Sequence, residues 1–474
     1  MTALFWQLMT NLAEPQRELH RLLIVLVLGL FVRLIFLYTT KDVRLMIVDE
    51  QHYHVLALNL LHGHGLAWGP GTPTSLRPPL YPAFVAFVWW ITDTESVSAV
   101  RMAQLLLSLL NTFALYQLGA LLFDRRTALL AAAGFCFYPS LLAFNFLMLT
   151  EVLFTFLLTL VVLGYVILLR TGNGWAACGT GVGLGLAVLT RSVLWLFPVI
   201  FFPFVFFTMP GNRRKRLLAA LLLFLGYFLV VIPWAVRNTK LQGVLTAVDT
   251  MGGLTLRMGN YDHTDLARPW DPSSIEGEKS IFQELHHDYP DSRFWTEGQK
   301  EKWALKKALA YMVDHPQLTL KRAVVKFARF WGLERVVIAG WQQELYQPPR
   351  WFVLAGTLII AFSCLSVMLL ACLGIFLAPP ADRRVHVFLL LLMGFIVGIH
   401  TVTFGHERYH LPLMPFLLLY AAAVIERRSW IQLCNVRQAA APILACISLF
   451  VIWGWEVLIV EVDRIRVLVH TFLG

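Results

Sequence analysis

The chain has 474 residues, of which 58% are hydrophobic and only 14% are charged, whereas a soluble globular protein has roughly 45–50% and about 25%. This composition excludes a water-soluble globule and predicts a polytopic membrane protein. The formal charge of +10 is spread too thinly for the basic stripe that phosphate tracking requires, so we expect no nucleic-acid partner.

Apolar runs of roughly membrane-crossing length recur along the chain and predict about eleven transmembrane helices in an all-α polytopic fold. The runs are Leu22–Tyr38, Val97–Phe123, Thr127–Phe144, Val152–Leu169, Trp175–Leu189, Ser192–Met209, Leu217–Val236, Phe352–Ala378, Val385–Thr401, Leu411–Ile425 and Ala439–Ile459. No small-residue cleavage site follows the first run, so we interpret it as a retained span.

Basic residues orient these helices, because Lys and Arg near span ends are retained on the cytoplasmic side. With Arg17 and Arg21 inside, the later basic segments also fall inside, namely Arg125–Arg126, Arg170, Arg213–Arg216, Arg383–Arg384 and Arg427–Arg428. This alternation requires that the apolar segment Pro78–Ile91 does not cross the bilayer. The segment is short and opens with prolines, so we predict an interfacial or re-entrant helix.

The predicted topology divides the chain into three parts. Residues 1–236 form an N-terminal transmembrane module that includes a first exterior loop, residues 39–96. Residues 237–350 form an exterior subdomain, and residues 351–474 form the C-terminal transmembrane helices. The subdomain mixes acids such as Asp271, Glu276 and Glu278 with lysines further along the chain, and Glu297–Asp314 has the polar spacing of a solvated helix.

The first exterior loop contains the densest set of candidate catalytic residues. It holds Val48-Asp49-Glu50-Gln51-His52-Tyr53, a glycine-rich Leu61-His62-Gly63-His64-Gly65-Leu66, and Arg77-Pro78-Pro79-Leu80-Tyr81-Pro82. Charge is costly to keep at a membrane surface, so adjacent acids and a proline-flanked arginine in one short stretch indicate a functional site.

These residues also have structural explanations. Asp49 and Glu50 could cap the helix that carries Tyr53, because acids favour helix N-termini. Arg77 could anchor an interfacial helix by extending its guanidinium to the membrane surface, and Arg33, inside the first span, could extend outward in the same way.

Three further segments carry the same ambiguity. Glu151 could cap its own helix after Thr150, and Arg191 could mark a helix end. Arg408-Tyr409, with the two prolines that follow, could serve loop packing and helix entry rather than chemistry.

Histidines in two exterior turns raise the alternative of a divalent metal site. They are His52, His54, His62 and His64 in the first loop and His406 and His410 in a later turn. None has the helical spacing of a zinc hydrolase, and polar loop histidines are the simpler interpretation. We predict no metal and no cofactor.

The order Asp-Glu-x-x-Tyr followed by basic-Pro-Pro-x-Tyr resembles the first exterior loop of integral-membrane glycosyltransferases with the C-type fold. The resemblance is to the branch of protein O-mannosyltransferases and aminoarabinose lipid A transferases (glycosyltransferase family 39-like). Further matching elements are Thr150-Glu151, Leu189-Thr190-Arg191, Pro233-Trp234-Ala235-Val236-Arg237-Asn238, Gly259-Asn260-Tyr261 and Arg408-Tyr409-x-x-Pro412-x-x-Pro415. The resemblance extends from Val32 to Ala423.

The resemblance implies a transferase that moves a sugar from a polyprenyl-phosphate carrier to a lipid, glycan or protein hydroxyl on the exterior face, usually with inversion. It implies that Asp49 accepts the acceptor's proton, that Glu50 helps to orient the sugar or acceptor, and that Arg77 contacts the donor phosphate. The remaining substrate-binding candidates are Tyr53, Tyr81, Glu151 and Arg191. Protein O-mannosyltransferases are thought to need no metal, which agrees with our prediction.

The sequence departs from both named relatives. Aminoarabinose transferases usually have more spans and a C-terminal exterior domain, and eukaryotic O-mannosyltransferases have an additional domain for which residues 237–350 are too short. The sugar and the acceptor therefore stay open, as does the oligomeric state.

Two other function classes also remain as alternatives. One is a transporter or flippase of lipid-linked sugars, which would show charged residues at mid-membrane or repeat symmetry. The other is a catalytically silent lipid-binding assembly subunit. We expect a bacterial inner-membrane protein with its site facing the periplasm, because Phe472-Leu473-Gly474 is not an endoplasmic-reticulum retrieval signal.

Overall fold

The computed structural model describes residues 16–41, 43–266, 279–342, 349–428 and 436–462. Ten helices lead up to residue 242: α1 (Gln16–Thr39), α2 (Val48–Leu61), α3 (Leu80–Thr92), α4 (Val97–Leu122), α5 (Arg125–Phe137), α6 (Pro139–Phe144), α7 (Glu151–Thr171), α8 (Gly174–Thr190), α9 (Pro198–Thr208) and α10 (Arg213–Gln242). They are followed by α11 (Gly252–Gly259), α12 (Ile281–Asp288), α13 (Glu297–Asp314), α14 (Pro316–Phe330), α15 (Val336–Gln342), α16 (Arg350–Leu377), α17 (Arg383–Val402), α18 (Met414–Glu426) and α19 (Val436–Trp455). The acids Asp271, Glu276 and Glu278 and the terminal Phe472–Gly474 lie outside the described residues.

Eight helical segments in the described part of the chain are long and apolar enough to cross a membrane. They are Arg17–Thr39, Val97–Leu122, Glu151–Thr171, Arg213–Gln242, Arg350–Leu377, Arg383–Val402, Glu407–Glu426 and Ala439–Val460. Helices α8 and α9 are shorter apolar helices, and the predicted run Thr127–Phe144 is divided between α5 and α6 because Pro139 starts a new helix. All eleven predicted runs coincide with helical segments, and the predicted all-α polytopic membrane fold is confirmed.

The apolar segment after Arg77 forms helix α3, as a short helix was predicted there. Its 13 residues span about 20 Å at 1.5 Å per residue, which is less than the roughly 30 Å of hydrocarbon in a bilayer. Tyr81, Val85 and Trp89 on α3 are buried, and the helix packs against α2 and α4. The segment is therefore too short to cross a bilayer by itself.

The basic segments between helices lie together at one end of the bundle, which we call the basic end. Arg170 donates to the carbonyl of Leu121, and Arg384 Nη1 donates to the carbonyl of Thr208 at 3.1 Å. Arg427 Nη1 reaches a carbonyl at 3.3 Å in the same region. The opposite end, formed by residues 39–97, 145–151, 190–198 and 402–410 among others, carries the candidate site residues, and we call it the site end.

Helices α8 and α10 pack through glycines that no larger residue could replace. A Cβ at Gly181 would lie 2.0 Å from the carbonyl oxygen of Leu223, and one at Gly226 would lie 2.3 Å from that of Cys178. Lipid is as apolar as the helix surfaces, so such close backbone contact is a main source of attraction between membrane helices. This packing fixes the end of α8, where Arg191 follows.

The segment between α10 and α16 has a small core of its own. Tyr261, Ile281, Leu285 and Trp303 are buried together with a face of α13. The helix predicted at Glu297–Asp314 is present with the predicted bounds. One of its faces is buried against α11, however, so it is only partly solvated.

Arg33 lies in the interior of the bundle and does not extend to the surface, so the interpretation from the sequence is wrong. Its side chain is fully buried, and its Nη2 donates to Ser108 Oγ at 3.0 Å. Its Nη1 donates to the carbonyl of Gly29 at 3.1 Å and contacts Cys136 Sγ at 3.4 Å. Neighbouring helices satisfy the guanidinium, as buried charge in a membrane protein requires.

Candidate active site

Asp49 and Glu50 are adjacent in the first turn of α2 but point in different directions, since successive residues of a helix are rotated by about 100°. Glu50 is 2% exposed, and its carboxylate accepts hydrogen bonds from the backbone N–H groups of Met148 at 2.9 Å and Ile47 at 3.2 Å. Glu50 thus caps α2 and fixes the segment before α7. The structure does not bring Glu50 together with Arg77.

Asp49 is held between two arginines that are far apart in the sequence. Arg77 Nη2 donates to Asp49 Oδ1 at 2.5 Å, and Arg408 Nη2 donates to Asp49 Oδ2 at 2.9 Å. The three side chains are 16–21% exposed. We call Asp49, Arg77 and Arg408 the Asp49 cluster. Asp49 and Arg77, which the sequence places in one loop without predicting that they pair, are in direct contact, and Arg408 is the third member.

The electrostatics of this cluster keep the Asp49 carboxyl ionised. Burial opposes ionisation, but the guanidinium groups of Arg408 and Arg77 outweigh burial and hold the pKa of Asp49 well below its usual range. His52 lies on the next turn, and its Nδ1 accepts from Arg77 Nη2 at 3.2 Å. Burial and Arg77 lower the pKa of His52, so its imidazole is neutral at pH 7.

Two tyrosines lie beside the Asp49 cluster at different depths. The Arg77 guanidinium carbon is 5.6 Å from the ring centroid of Tyr53, and Tyr53 meets Tyr81 edge to face with ring centroids 4.9 Å apart. Burial raises the pKa of Tyr53 to about 12, so its hydroxyl stays protonated. Tyr81 is fully buried, and its hydroxyl donates to Gln104 Oε1 at 2.7 Å. Tyr53 adjoins the cluster, and Tyr81 supports Tyr53 from behind.

The predicted residues Glu151 and Arg191 form an ion pair of 3.0 Å next to the Asp49 cluster. Tyr409 connects the two groups, because its ring centroid lies 5.1 Å from the Arg191 guanidinium carbon and 5.3 Å from that of Arg408. Counting Arg77 and Asp49 as well, three arginines here face two carboxylates. Within this set of ion pairs the guanidinium groups outnumber the carboxylates by one.

The loop that carries Arg77 is fixed by residues from other parts of the chain. Glu297 at the start of α13 accepts from Thr74 Oγ1 at 2.6 Å and from the backbone N–H of Ser75 at 2.7 Å. Arg237 in α10 donates to the carbonyl of Thr74 at 2.7 Å. Hydrogen bonds to ionised groups are the stronger kind, so the backbone that leads to Arg77 is held firmly.

A larger set of buried charges adjoins the Asp49 cluster. Its members, which we call the Glu456 cluster, are Arg329, Arg335, Glu407, Glu456 and Glu461. Arg335 Nη2 lies 3.0 Å from Glu456 and 3.5 Å from Glu407, and Arg329 Nη1 lies 3.1 Å from Glu456. Because Glu407 precedes Arg408, this cluster anchors the backbone from which Arg408 extends.

The histidines that raised the metal alternative are dispersed. His54 packs against Trp89, and His62 pairs with Glu95 at 2.9 Å. His410 Nε2 lies 2.9 Å from a carboxylate oxygen of Glu334, deep in the protein. In the described ranges, no three His, Cys, Asp or Glu side chains lie close enough together to hold a metal ion.

Two residues of the site were not among the candidates from the sequence. Arg408 belongs to the motif Arg408-Tyr409-x-x-Pro412-x-x-Pro415, which supports the family resemblance and is the signal that the sequence offers for it. Glu297 has no sequence signal beyond its position at the start of a predicted helix. Its contact with Thr74 joins segments 223 residues apart.

The fold and the site define a class, namely polytopic helical membrane proteins with an acid–arginine site at one end of the bundle. The structure resembles the apo crystal structure of the Archaeoglobus fulgidus oligosaccharyltransferase, with a TM-score of 0.51, 14% identity, and coverage of 92% of this chain and 55% of that chain. The complex of the same enzyme with Zn and sulfate gives a TM-score of 0.50 and 16% identity, with coverage of 90% of this chain and 53% of that chain. The chain spans about half the length of this protein. A likeness at such identities shows a shared fold.

Within that class, residues 76–236 match the family model described as dolichyl-phosphate-mannose-protein mannosyltransferase, which confirms the predicted resemblance. The matched segment contains Arg77, Tyr81, Glu151 and Arg191, whereas Asp49 lies outside it. ArnT from Cupriavidus metallidurans, bound to undecaprenyl phosphate, is more weakly similar, with a TM-score of 0.39, 14% identity, and coverage of 85% of this chain and 77% of that chain. No curated protein matches the chain significantly.

Proposed function

We propose that the chain is a membrane glycosyltransferase that moves a sugar from a polyprenyl-phosphate carrier to the hydroxyl of an acceptor lipid, glycan or protein. The observation that carries this proposal is the direct contact of Asp49 with Arg77 and Arg408 at the site end. The family match supports it, because the matched residues 76–236 include Arg77.

The position of the site suits a lipid-linked donor. The polyprenyl chain of such a donor stays in the bilayer, while its phosphate and sugar stay at the membrane surface. The Asp49 cluster lies where α2, the loop before α3 and the start of the Glu407–Glu426 span meet. Arg77 and Arg408 can bind a phosphate through paired hydrogen bonds.

The reaction assigned to this site needs one base and one anion site. Asp49 takes the proton of the acceptor hydroxyl as its oxygen attacks the anomeric carbon. The bond between that carbon and the phosphate oxygen breaks, and the electron pair leaves on the phosphate. Arg77 and Arg408 stabilise the departing phosphate. Attack from the side opposite the phosphate gives inversion at the anomeric carbon.

The other candidates take supporting positions. Tyr53 lines the sugar site beside Arg77, with Tyr81 behind it. The Glu151–Arg191 pair holds Tyr409 against Arg408. The family resemblance implies that Glu50 orients the substrate. We instead assign Glu50 to positioning α2, because both of its carboxylate oxygens accept hydrogen bonds from backbone N–H groups.

We assign the site end to the exterior face of the membrane, because basic segments are retained on the cytoplasmic side and lie at the opposite end. In a bacterial inner membrane this face is the periplasm. Mass spectrometry of lipids and glycans from cells with and without the chain would identify the sugar and the acceptor. Cells that show no difference in any sugar-modified lipid, glycan or protein would contradict the proposal.

Asp49→Asn tests the role of the base once the substrates are known. Loss of the base should reduce sugar transfer by about 10²- to 10⁴-fold, with normal abundance of the protein in the membrane. Asp382→Asn is the matched control, because it removes the same charge at the basic end and should transfer sugar at the normal rate. Unchanged transfer by Asp49→Asn would leave Asp49 without its proposed role, as expected for a catalytically silent subunit.

A further inference from the structure

The resting structure shows the proposed base already occupying the proposed phosphate site. We propose that Asp49 is masked by Arg77 and Arg408 until the phosphate of the lipid-linked donor displaces it from both arginines, which frees it to accept the proton. This inference rests on the proposed function and extends it, because it makes donor binding the step that activates the base.

The geometry of the Asp49 cluster favours an exchange of anions. Each arginine gives only one nitrogen, its Nη2, to Asp49. The Nε atoms of Arg77 and Arg408 are buried and have no hydrogen-bond acceptor among the described residues. A carboxylate has two oxygens, which are both in use. A phosphate has further oxygens and can engage both nitrogens of a guanidinium edge, so it satisfies donors that Asp49 leaves unused.

The charges around the cluster leave room for an incoming anion. The groups that face Asp49 come from its own helix (His52 and Tyr53), from the loop before α3 (Arg77) and from residues 408–409 (Arg408 and Tyr409), with Glu151, Arg191 and Asp249 next to them. His52 is neutral at pH 7 and Tyr53 is protonated. Asp249 accepts hydrogen bonds from Ser192 and from the backbone N–H of Met251. Arg77 and Arg408, which pair directly with Asp49, therefore dominate the potential at that carboxylate and attract a phosphate.

Displacement changes the chemistry of Asp49 in the direction that transfer requires. Asp49 loses two positive neighbours and gains a negative one, and both changes increase its affinity for a proton. The acceptor hydroxyl gives its proton to Asp49 while its oxygen bonds to the anomeric carbon, and the electron pair of the broken bond leaves on the phosphate. When the polyprenyl phosphate departs, the arginines return to Asp49, which then releases the proton to water.

Masking predicts an unusual result for a variant of the proposed base. Asp49→Asn removes the internal competitor for the arginines, so it should bind an isoprenyl phosphate more tightly than the wild type does. We expect a gain of about tenfold or more, because hydrogen bonds between guanidinium and carboxylate are among the strong ones. Arg77→Ala and Arg408→Ala should each weaken binding by a similar factor.

The experiment measures the affinity of the full chain, in detergent, for citronellyl phosphate, a short soluble isoprenyl phosphate. The affinity is measured by calorimetry at pH 7. Asp382→Asn is the control for loss of one negative charge, because Asp382 pairs with Arg384 at 2.7 Å at the basic end. Its affinity should equal that of the wild type. Thermal unfolding confirms that each variant is folded, and Asp49→Ala replaces Asp49→Asn if the latter does not fold.

An Asp49→Asn protein that is folded and binds citronellyl phosphate no more tightly than the wild type would overturn the masking proposal. Binding tests masking, and sugar transfer tests the proposed function. Tighter binding by Asp49→Asn supports masking even if the wild type transfers no sugar, a result that would refute the proposed function. Sugar transfer by the wild type, together with unchanged binding by Asp49→Asn, refutes masking and supports the transferase.

Discussion

Two clusters of buried charge lie at the site end and meet at the peptide bond between Glu407 and Arg408, yet they differ in composition. The Glu456 cluster has three glutamates and two arginines, and four of its side chains are at most 5% exposed. The Asp49 cluster has one acid and two arginines, with side chains 16–21% exposed. The first cluster is mostly buried, with Arg335 as its most exposed member at 17%, and has an excess of acid. The second is more exposed throughout and has an excess of guanidinium.

This difference indicates that the Glu456 cluster is a structural ion network and that the Asp49 cluster, built with the same residue types, is an anion site. Buried charge persists where partners compensate it, and removal of one partner is then strongly destabilising. Each arginine of the Glu456 cluster meets at least two carboxylates. In the Asp49 cluster two arginines share one carboxylate, so an additional anion can enter without loss of compensation.

The largest effect is expected where the Glu456 cluster loses a cation. Arg335→Met leaves three buried glutamates with Arg329 alone, so it should destabilise the protein by about 3–5 kcal/mol. The measurement is thermal unfolding in detergent. Arg126→Met is the matched control, because Arg126 forms an exposed ion pair with Glu426 at 3.6 Å, and surface pairs contribute about 0–1 kcal/mol. Normal unfolding of Arg335→Met with loss of sugar transfer would show that the two clusters do not have separate roles.

The pH dependence of transfer should show that the Asp49 cluster opens during catalysis. A base works only when ionised, so the rate falls as the pH drops through its pKa. In the free protein Arg408 and Arg77 hold the pKa of Asp49 well below its usual range despite burial, so kcat/KM should stay constant down to about pH 4. In the donor complex the arginines bind phosphate, so kcat should fall at a pH at least about one unit higher. Coincident midpoints for kcat and kcat/KM would contradict masking.

A smaller effect is expected at Lys326, a buried amine. In the described part of the chain its Nζ bonds to two neutral groups, Asn260 Oδ1 at 3.2 Å and the carbonyl of Val402 at 2.9 Å. Burial and Arg322 lower the pKa of Lys326 to about 7. Above pH 7 the folded protein holds the neutral amine while the unfolded chain still binds the proton. Stability should therefore rise between pH 7 and pH 9, by about 1 kcal/mol per pH unit.

Lys326→Met should remove this rise from the pH profile of thermal unfolding. The same profile measured on the wild type and on Lys326→Met would reveal any contribution from other groups. Identical slopes in the two proteins would show that Lys326 is charged and compensated like the arginines of the Glu456 cluster.

The sequence is sufficient to predict the helices and to place two residues of the site, Asp49 and Arg77, in one loop. Hydrophobic run length identifies candidate spans because the hydrocarbon thickness is constant. Helices lie in all eleven runs, and in the described residues eight of these helices are long and apolar enough to cross a membrane. The direct contact of Asp49 with Arg77 is a finding of the structure and is not predicted by the sequence. The break at Pro139 was missed, although proline at the first position of a helix was a visible signal.

The rest of the site depends on contacts that local pattern does not encode. Arg408 reaches Asp49 across 359 positions, and the packing of residues 407–413 against α7 and α14 holds it there. The different orientations of Asp49 and Glu50 follow from the exact start of α2, and helix ends are the least certain part of a prediction from sequence. Arg33 was misjudged because its partners Ser108 and Cys136 come from other helices.

The most direct test is an experimental structure of the full chain in lipid nanodiscs with undecaprenyl phosphate bound. The account predicts that the phosphate contacts both Arg77 and Arg408 and that Asp49 no longer bonds to either. A phosphate bound elsewhere, with the contacts of Asp49 to Arg77 and Arg408 still in place, would contradict it.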